Sequence, residues 1–159
     1  MHRPMSSAVQ NLQRPLVDGD LLVASELIAR PELPPRGVTA SRGLAITFAG
    51  AFEFEAGKRA TWIDPSRLLF IEAGQSYVDH HVVPGVGHSS VILRAGEGTL
   101  EELWEDVGAQ LAGRAGACSL RVQMLAQLLR RAADALAGQE LGIAILEECV
   151  ADRRPVSSI

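Results

Sequence analysis

The spacing of apolar residues changes once along this chain, near Arg94. Before that point it favours strands. Leu21 to Ile28 alternates weakly, and RPELPPRG at 30–37 has three prolines and a glycine and must be a loop. Leu44 to Phe48 is apolar, Gly50 allows a tight turn, and Phe52 and Phe54 then alternate with Glu53 and Glu55, a half-buried strand with its aromatics inward. Gly57-Lys58 predicts a hairpin returning through Ala60 to Ile63. Asp64-Pro65 opens a turn before the apolar run Leu68 to Ile71, Gly74 breaks that run, and Tyr77 to Val83 is the next strand. Pro84-Gly85-Val86-Gly87 forces a reversal into a last strand around Val91 to Leu93.

After Arg94 the period becomes helical. Thr99 and Glu102 have capping-box spacing, and Leu100, Leu103, Trp104, Val107 and Leu111 share a helix face. Ser119 is placed to cap a second helix with the stripe Val122, Leu125, Leu128, Leu129, Ala132 and Leu136, ending at Gly138; a third runs from Glu140 to Val150. Strands first and helices last predict a mainly β fold with C-terminal α: a cupin-like jelly-roll barrel followed by two or three packed helices. The expected division is a polar, turn-prone N-terminal arm at 1–20, the barrel at 21–98, a helical dimerisation region at 99–152 and a linker tail at 153–159.

Composition narrows the function. At 159 residues and 47% apolar content there is enough material for one domain with a core. The net charge is -4 and the 15 positive residues are scattered, which argues against a stand-alone nucleic-acid binder. There is no apolar run near membrane-spanning length and no leader pattern, so the expectation is a cytoplasmic protein with no membrane partner. Cys118 and Cys149 lack metal-type pairing and read as buried thiols. No phosphate-binding loop or nucleophile elbow is present, and Glu53 and Glu55 read as solvent-facing.

Candidate site chemistry rests on three histidines in one stretch, His80, His81 and His88, near the Pro-Gly turn, where a small barrel holds its ligand. Period two places Tyr77, Asp79 and His81 on one face of the Tyr77–Val83 strand and Val78, His80 and Val82 on the other. If the valines face inward, His80 is the interior polar group. Tyr77 and Trp62 are amphipathic enough to line a pocket. For any of these side chains a structural role competes with ligand contact.

The stretch from Leu44 to Leu93 resembles the amino-terminal sensing domain of AraC-type transcriptional regulators. The matching positions are Gly50 and Phe52, Asp64 and Pro65, Leu68 to Phe70, Gly74 and Tyr77, His81, and Pro84, Gly85 and Gly87. It departs from the pattern at Val82, where the family often has proline, and at His88, where an acidic residue is common. The resemblance covers about a third of the chain and draws attention to His81 rather than His80. It implies a non-enzymatic domain without a cofactor that binds a small-molecule effector and forms a homodimer through its C-terminal helices. DNA would be contacted only through a domain absent from this chain, whose start the Arg153-Arg154-Pro155 tail would mark. The rival is a small metal-dependent cupin enzyme, an oxygenase or isomerase. Catalytic cupins use a His-x-His pair on one strand face, whereas the adjacent His80 and His81 point to opposite faces, so no metal site is expected.

Overall fold

The computed structural model describes residues 11–96, 100–111 and 114–151. Ten strands run in the order β1 (Leu12–Asp18), β2 (Leu22–Ala29), β3 (Arg36–Val38), β4 (Gly43–Gly50), β5 (Phe52–Ala56), β6 (Arg59–Ile63), β7 (Arg67–Ile71), β8 (Ser76–His80), β9 (His88–Ala95) and β10 (Ala115–Ala117). The described residues also form three helices: α1 (Glu101–Gln110) before β10, then α2 (Leu120–Arg130) and α3 (Ala135–Ala151).

The pairing is nested. β5 pairs with β6, β4 with β7, β3 with β8 and β2 with β9, all antiparallel, so β2 to β9 form one long ribbon folded at the β5–β6 hairpin. Rolling that ribbon up places alternate strands in two sheets, with orders β2-β9-β4-β7 and β3-β8-β5-β6. This is a jelly roll, as the distribution of strands and helices predicts. β1 and β10 extend the first sheet at its two edges to six strands.

The central strands of the six-stranded sheet, β4, β7 and β9, are buried on both faces, which explains the continuous apolar runs of β7 and β9. Leu44, Ile46, Leu68, Phe70, Val91 and Leu93 face the helices, where they meet Trp104, Val107, Val122, Leu129 and Ile145. Ala45, Leu69, Ile71 and Ile92 face the barrel interior, where they meet Phe52, Phe54 and Ile63 from the second sheet. Phe52 and Phe54 point inward, as their alternation with glutamates predicts.

Several elements differ from the sequence expectation. Residues 12–18 of the expected arm form β1, held by cross-strand pairing to β2, with a register shift between Pro15 and Val17. Residues 1–10 and the expected tail at 153–159 lie outside the described residues. The expected second helix to Leu136 is two helices. α2 stops at Arg130, and α3 starts at Ala135, where Asp134 Oδ1 accepts the Ala137 N–H at 2.8 Å. Asp134 reads in sequence as a polar surface position, and its competing role as a helix cap prevails. Ser119 caps α2 as expected, accepting the Val122 N–H at 3.1 Å. α1 is capped differently: its N-cap position is Leu100, which supplies no side-chain hydrogen bond, and Thr99 lies outside the described residues. The Gly-rich interruption after α1 contributes β10 as an edge strand on β7.

Gly138 continues α3 rather than ending a helix. A Cβ there would sit 2.3 Å from Val17 Cγ2, so the missing side chain lets α3 lie directly on β1. Gly138→Ala should therefore destabilise by about 1–2 kcal/mol, although alanine is the better helix former by about 1 kcal/mol. The check is urea unfolding of this variant and of Gly138→Ala with Val17→Ala. The second change should recover most of the loss if the clash is its cause; an unchanged or raised midpoint for the single variant would refute it.

Candidate functional site

The barrel interior holds a cavity of about 200 Å³ between the two sheets. Its walls are mainly apolar, with Leu27, Ala45, Phe52, Phe54, Leu69 and Ile92 among them; the polar groups that reach it include Tyr77, Asp79, His88, Ser90 and Arg94. A mainly apolar cavity with a few converging polar groups has the usual character of a small-ligand site.

The strand period places these groups. In β8, Tyr77 and Asp79 point inward, and Tyr77 stacks on Phe54 with centroids 5.7 Å apart. His81 follows on the same side, just beyond the end of β8, and its Nε2 lies 2.8 Å from His88 Nδ1. The expected strand to Val83 is cut short at His80. The alternative face is thereby settled. His80 points outward, its side chain is 44% exposed, and its Nε2 is 3.0 Å from Glu55 Oε2.

His88 is the first residue of β9 and is buried, stacked on Phe52 at 4.0 Å between centroids. Two glycines let the chain close around it. Gly50, at φ 75°, lies opposite His88, and a Cβ there would be 2.0 Å from the Gly87 carbonyl oxygen; a Cβ at Gly87 would be 2.0 Å from the Ala29 carbonyl oxygen. Trp62 does not join the site. It lies on the outer face of β6, 39% exposed, with its indole N–H donating to Asp64 Oδ2 at 3.0 Å, while its neighbour Ile63 takes the inward position.

The hydrogen bonds assign the proton positions of the histidine pair. Pro31 offers only a carbonyl oxygen, 3.1 Å from His81 Nδ1, so His81 Nδ1 donates there. In neutral His81 the other nitrogen, Nε2, is then an acceptor, and it takes the N–H of His88 Nδ1. His88 Nε2 is left as an acceptor, 3.6 Å from Asp79 Oδ2. Burial holds His88 neutral, with its pKa down to about 3 by desolvation and the neighbouring His81. Burial also pushes Asp79 up to about 7. Asp79 is 6% exposed, and its Oδ1 is buried with no hydrogen-bond partner. Tyr77 is likewise raised, by burial first and by the Asp79 charge second, against the opposing charge of Arg94.

A catalytic cupin's metal does not fit these residues. His81 and His88 bond directly to each other, His80 faces away, and among the described residues no three His, Cys, Asp or Glu side chains are grouped to hold one ion. Asp79 is the residue not singled out from sequence. Its signal was present, since it shares a face with Tyr77 and His81 at period two.

The chain matches no protein-family model and no curated protein. Among solved structures it is similar to an RmlC-like cupin family protein with a double-stranded β-helix fold from Methanocaldococcus jannaschii, 8% identical over 61% of this chain and 90% of that one, with a TM-score of 0.49. It is similar to the DMSP lyase DddQ from Ruegeria pomeroyi, 14% identical over 60% of this chain and 51% of the lyase, at 0.48. An uncharacterized conserved protein with a double-stranded β-helix domain from Klebsiella pneumoniae is 12% identical over 74% of this chain and 90% of that one, also at 0.48. Likenesses of this size say nothing about chemistry. The jelly roll rests on the chain's own strand pairing, and among the described residues no helix is long and apolar enough to cross a membrane.

Proposed function

We propose that this chain is a ligand-sensing and dimerisation domain without catalytic activity, of the kind found in AraC-type transcriptional regulators, acting in the cytoplasm and reaching DNA only through a separate domain. The observation that carries this reading is the barrel cavity: mainly apolar walls, a few converging polar groups and no metal-type cluster among the described residues. The metal-dependent enzyme is disfavoured by the direct His81–His88 bond.

Dimerisation through the helices has a specific support. The stripe expected to pair between subunits is partly used up inside the chain, since Val122 and Leu129 are buried against the barrel. Leu128 of that stripe stays outside and forms an apolar row on α2 with Leu120 and Met124, four residues apart; the three are 54%, 77% and 58% exposed. A row of this kind suits an isologous contact with a second copy.

A thermal-shift screen against small organic compounds tests the sensor. A ligand that binds only the folded state raises Tm with concentration. The same compound should fail on Ala45→Leu, which fills the cavity. No compound raising Tm, or one acting equally on Ala45→Leu, would sink the reading. Sedimentation tests the interface: Met124→Glu should convert dimer to monomer at micromolar concentration, and a wild-type chain that sediments as a monomer throughout would refute it.

A further inference from the structure

One end of the cavity carries acceptors that the chain does not satisfy. Asp79 Oδ1 is buried on the cavity wall without a hydrogen-bond partner, although leaving such an atom unpaired costs about 1–3 kcal/mol. Beside it, the bonds running from the Pro31 carbonyl through His81 leave His88 Nε2 as an acceptor, 3.6 Å from Asp79 Oδ2. Around these atoms stand the rings of Phe52, Phe54 and Tyr77. The arginine on the cavity wall, Arg94, is six residues from His88 on β9; its charge acts on Tyr77, while burial alone accounts for the shift of Asp79.

Each ligand class meets this end differently. A carboxylate or phosphate would face the Asp79 carboxyl and an imidazole lone pair. A hydrocarbon would fill the apolar part and leave Oδ1 unpaired. An ammonium group supplies several N–H donors and a positive charge, and aromatic faces attract cations. We propose that the barrel takes a small primary amine with a compact, preferably aromatic body, its ammonium donating to Asp79 Oδ1 and His88 Nε2 while its apolar part lies against Phe52 and Phe54. At protein packing density a cavity of this size holds roughly eight non-hydrogen atoms, about the size of benzylamine. Burial without a counter-charge holds the Asp79 proton to about 7, and an ammonium neighbour would release it.

This inference deepens the sensor reading and rests on it. Its test is calorimetric titration of the whole chain at pH 8 with benzylamine, benzyl alcohol and benzoate, which share a ring and differ in charge. Benzylamine is expected to bind one per chain and at least ten-fold tighter than the other two. Asp79→Asn should cost it ten-fold or more and leave benzyl alcohol unchanged, with the variant's own melting curve confirming that it is folded. If benzyl alcohol or benzoate binds as well as the amine, or if Asp79→Asn changes nothing, the amine preference is overturned while the cavity remains a ligand site. Binding of none of the three overturns the amine preference; the wider library screen then decides the sensor reading separately.

Discussion

Asp79→Asn should make the protein more stable at pH 8 and at the same time make it sensitive to acid. The folded state holds the Asp79 carboxyl near 7 against an ordinary 3.8, so keeping it ionised above pH 7 costs about 4 kcal/mol at 1.4 kcal/mol per unit. That cost shrinks as pH falls from 7 towards 4. His88 acts in the opposite sense. Its imidazole stays neutral to about 3 in the fold but takes a proton near 6.5 when unfolded, so stability is lost as pH falls through that interval. Between about pH 4 and 6.5 the unfolded chain carries its proton on His88 and the folded chain carries one on Asp79, so proton counts match and the two slopes cancel.

The wild type should therefore show nearly flat stability across that window from this pair. In Asp79→Asn the His88 slope stands alone, about 1.4 kcal/mol lost per pH unit below 6.5. An amide also leaves polar atoms in the cavity wall, at about 2 kcal/mol. The net gain at pH 8 is then about 2 kcal/mol, or roughly 4–8 °C in Tm for a chain of this size, and the two curves should meet near pH 5. His88→Gln should tilt the profile the other way, towards greater stability in acid. Urea unfolding from pH 4.5 to 8 measures both, and a flat profile for Asp79→Asn would refute the assignment.

Glu26→Gln should be among the most damaging polar substitutions. Glu26 is 4% exposed on the helix side of β2 and joins two arginines from different elements: Arg14 directly across on the neighbouring β1, and the distant Arg130 at the end of α2, whose Nη2 donates to Glu26 Oε1 at 2.7 Å. Arg130 also lies over the Phe48 ring at 3.9 Å. Burial works against the Glu26 charge, but the hydrogen bonds and charges of the two arginines outweigh it and hold its pKa below the ordinary value. Removing one partner of a buried pair costs about 3–5 kcal/mol. Here Arg14 is 58% exposed and can regain water, so about 2–3 kcal/mol is expected, a fall in Tm of roughly 4–12 °C.

A pH signature accompanies this loss. The lowered pKa contributes stability present above about pH 4.5 and lost as pH falls through the folded value, so the acid limb of the wild type should soften in Glu26→Gln. Replacing Arg14, Glu26 and Arg130 together by Met, Leu and Met should recover most of the stability. A change below about 0.5 kcal/mol in Glu26→Gln would mean that the cluster ties nothing together.

Much of the barrel was legible because two-faced strands have a plain signature. The runs at Leu68 to Ile71 and Val91 to Leu93 are continuous because helices cover one face and the cavity lies on the other, and Phe52 and Phe54 alternate because β5 has only one buried face. β1 was illegible for the opposite reason. Five of its seven residues are exposed, so pairing at a sheet edge, not burial, makes it a strand. The break between α2 and α3 was hidden because apolar residues at helical spacing continue across it, and only Asp134 marks the restart.

The site divides similarly. Tyr77 and His88 line the cavity, and His81 supports it by fixing the His88 ring. His80 and Trp62 lie outside, and each has an inward neighbour that gives the answer at period two: Asp79 beside His80 and Ile63 beside Trp62. The choice of face in β8 could not be made from Val78 and Val82. Val78 lies opposite Glu55 on the outer surface, and Val82 belongs to the loop rather than the strand.

The central claim is that the barrel interior, not the helical surface, receives a small molecule. Amide chemical shifts of the whole chain during titration with benzylamine and benzyl alcohol test it most directly. Saturable shifts are predicted at Ala45, Phe54, Asp79, Ser90 and Ile92, with little change along α2. Saturable shifts confined to α2 would contradict it.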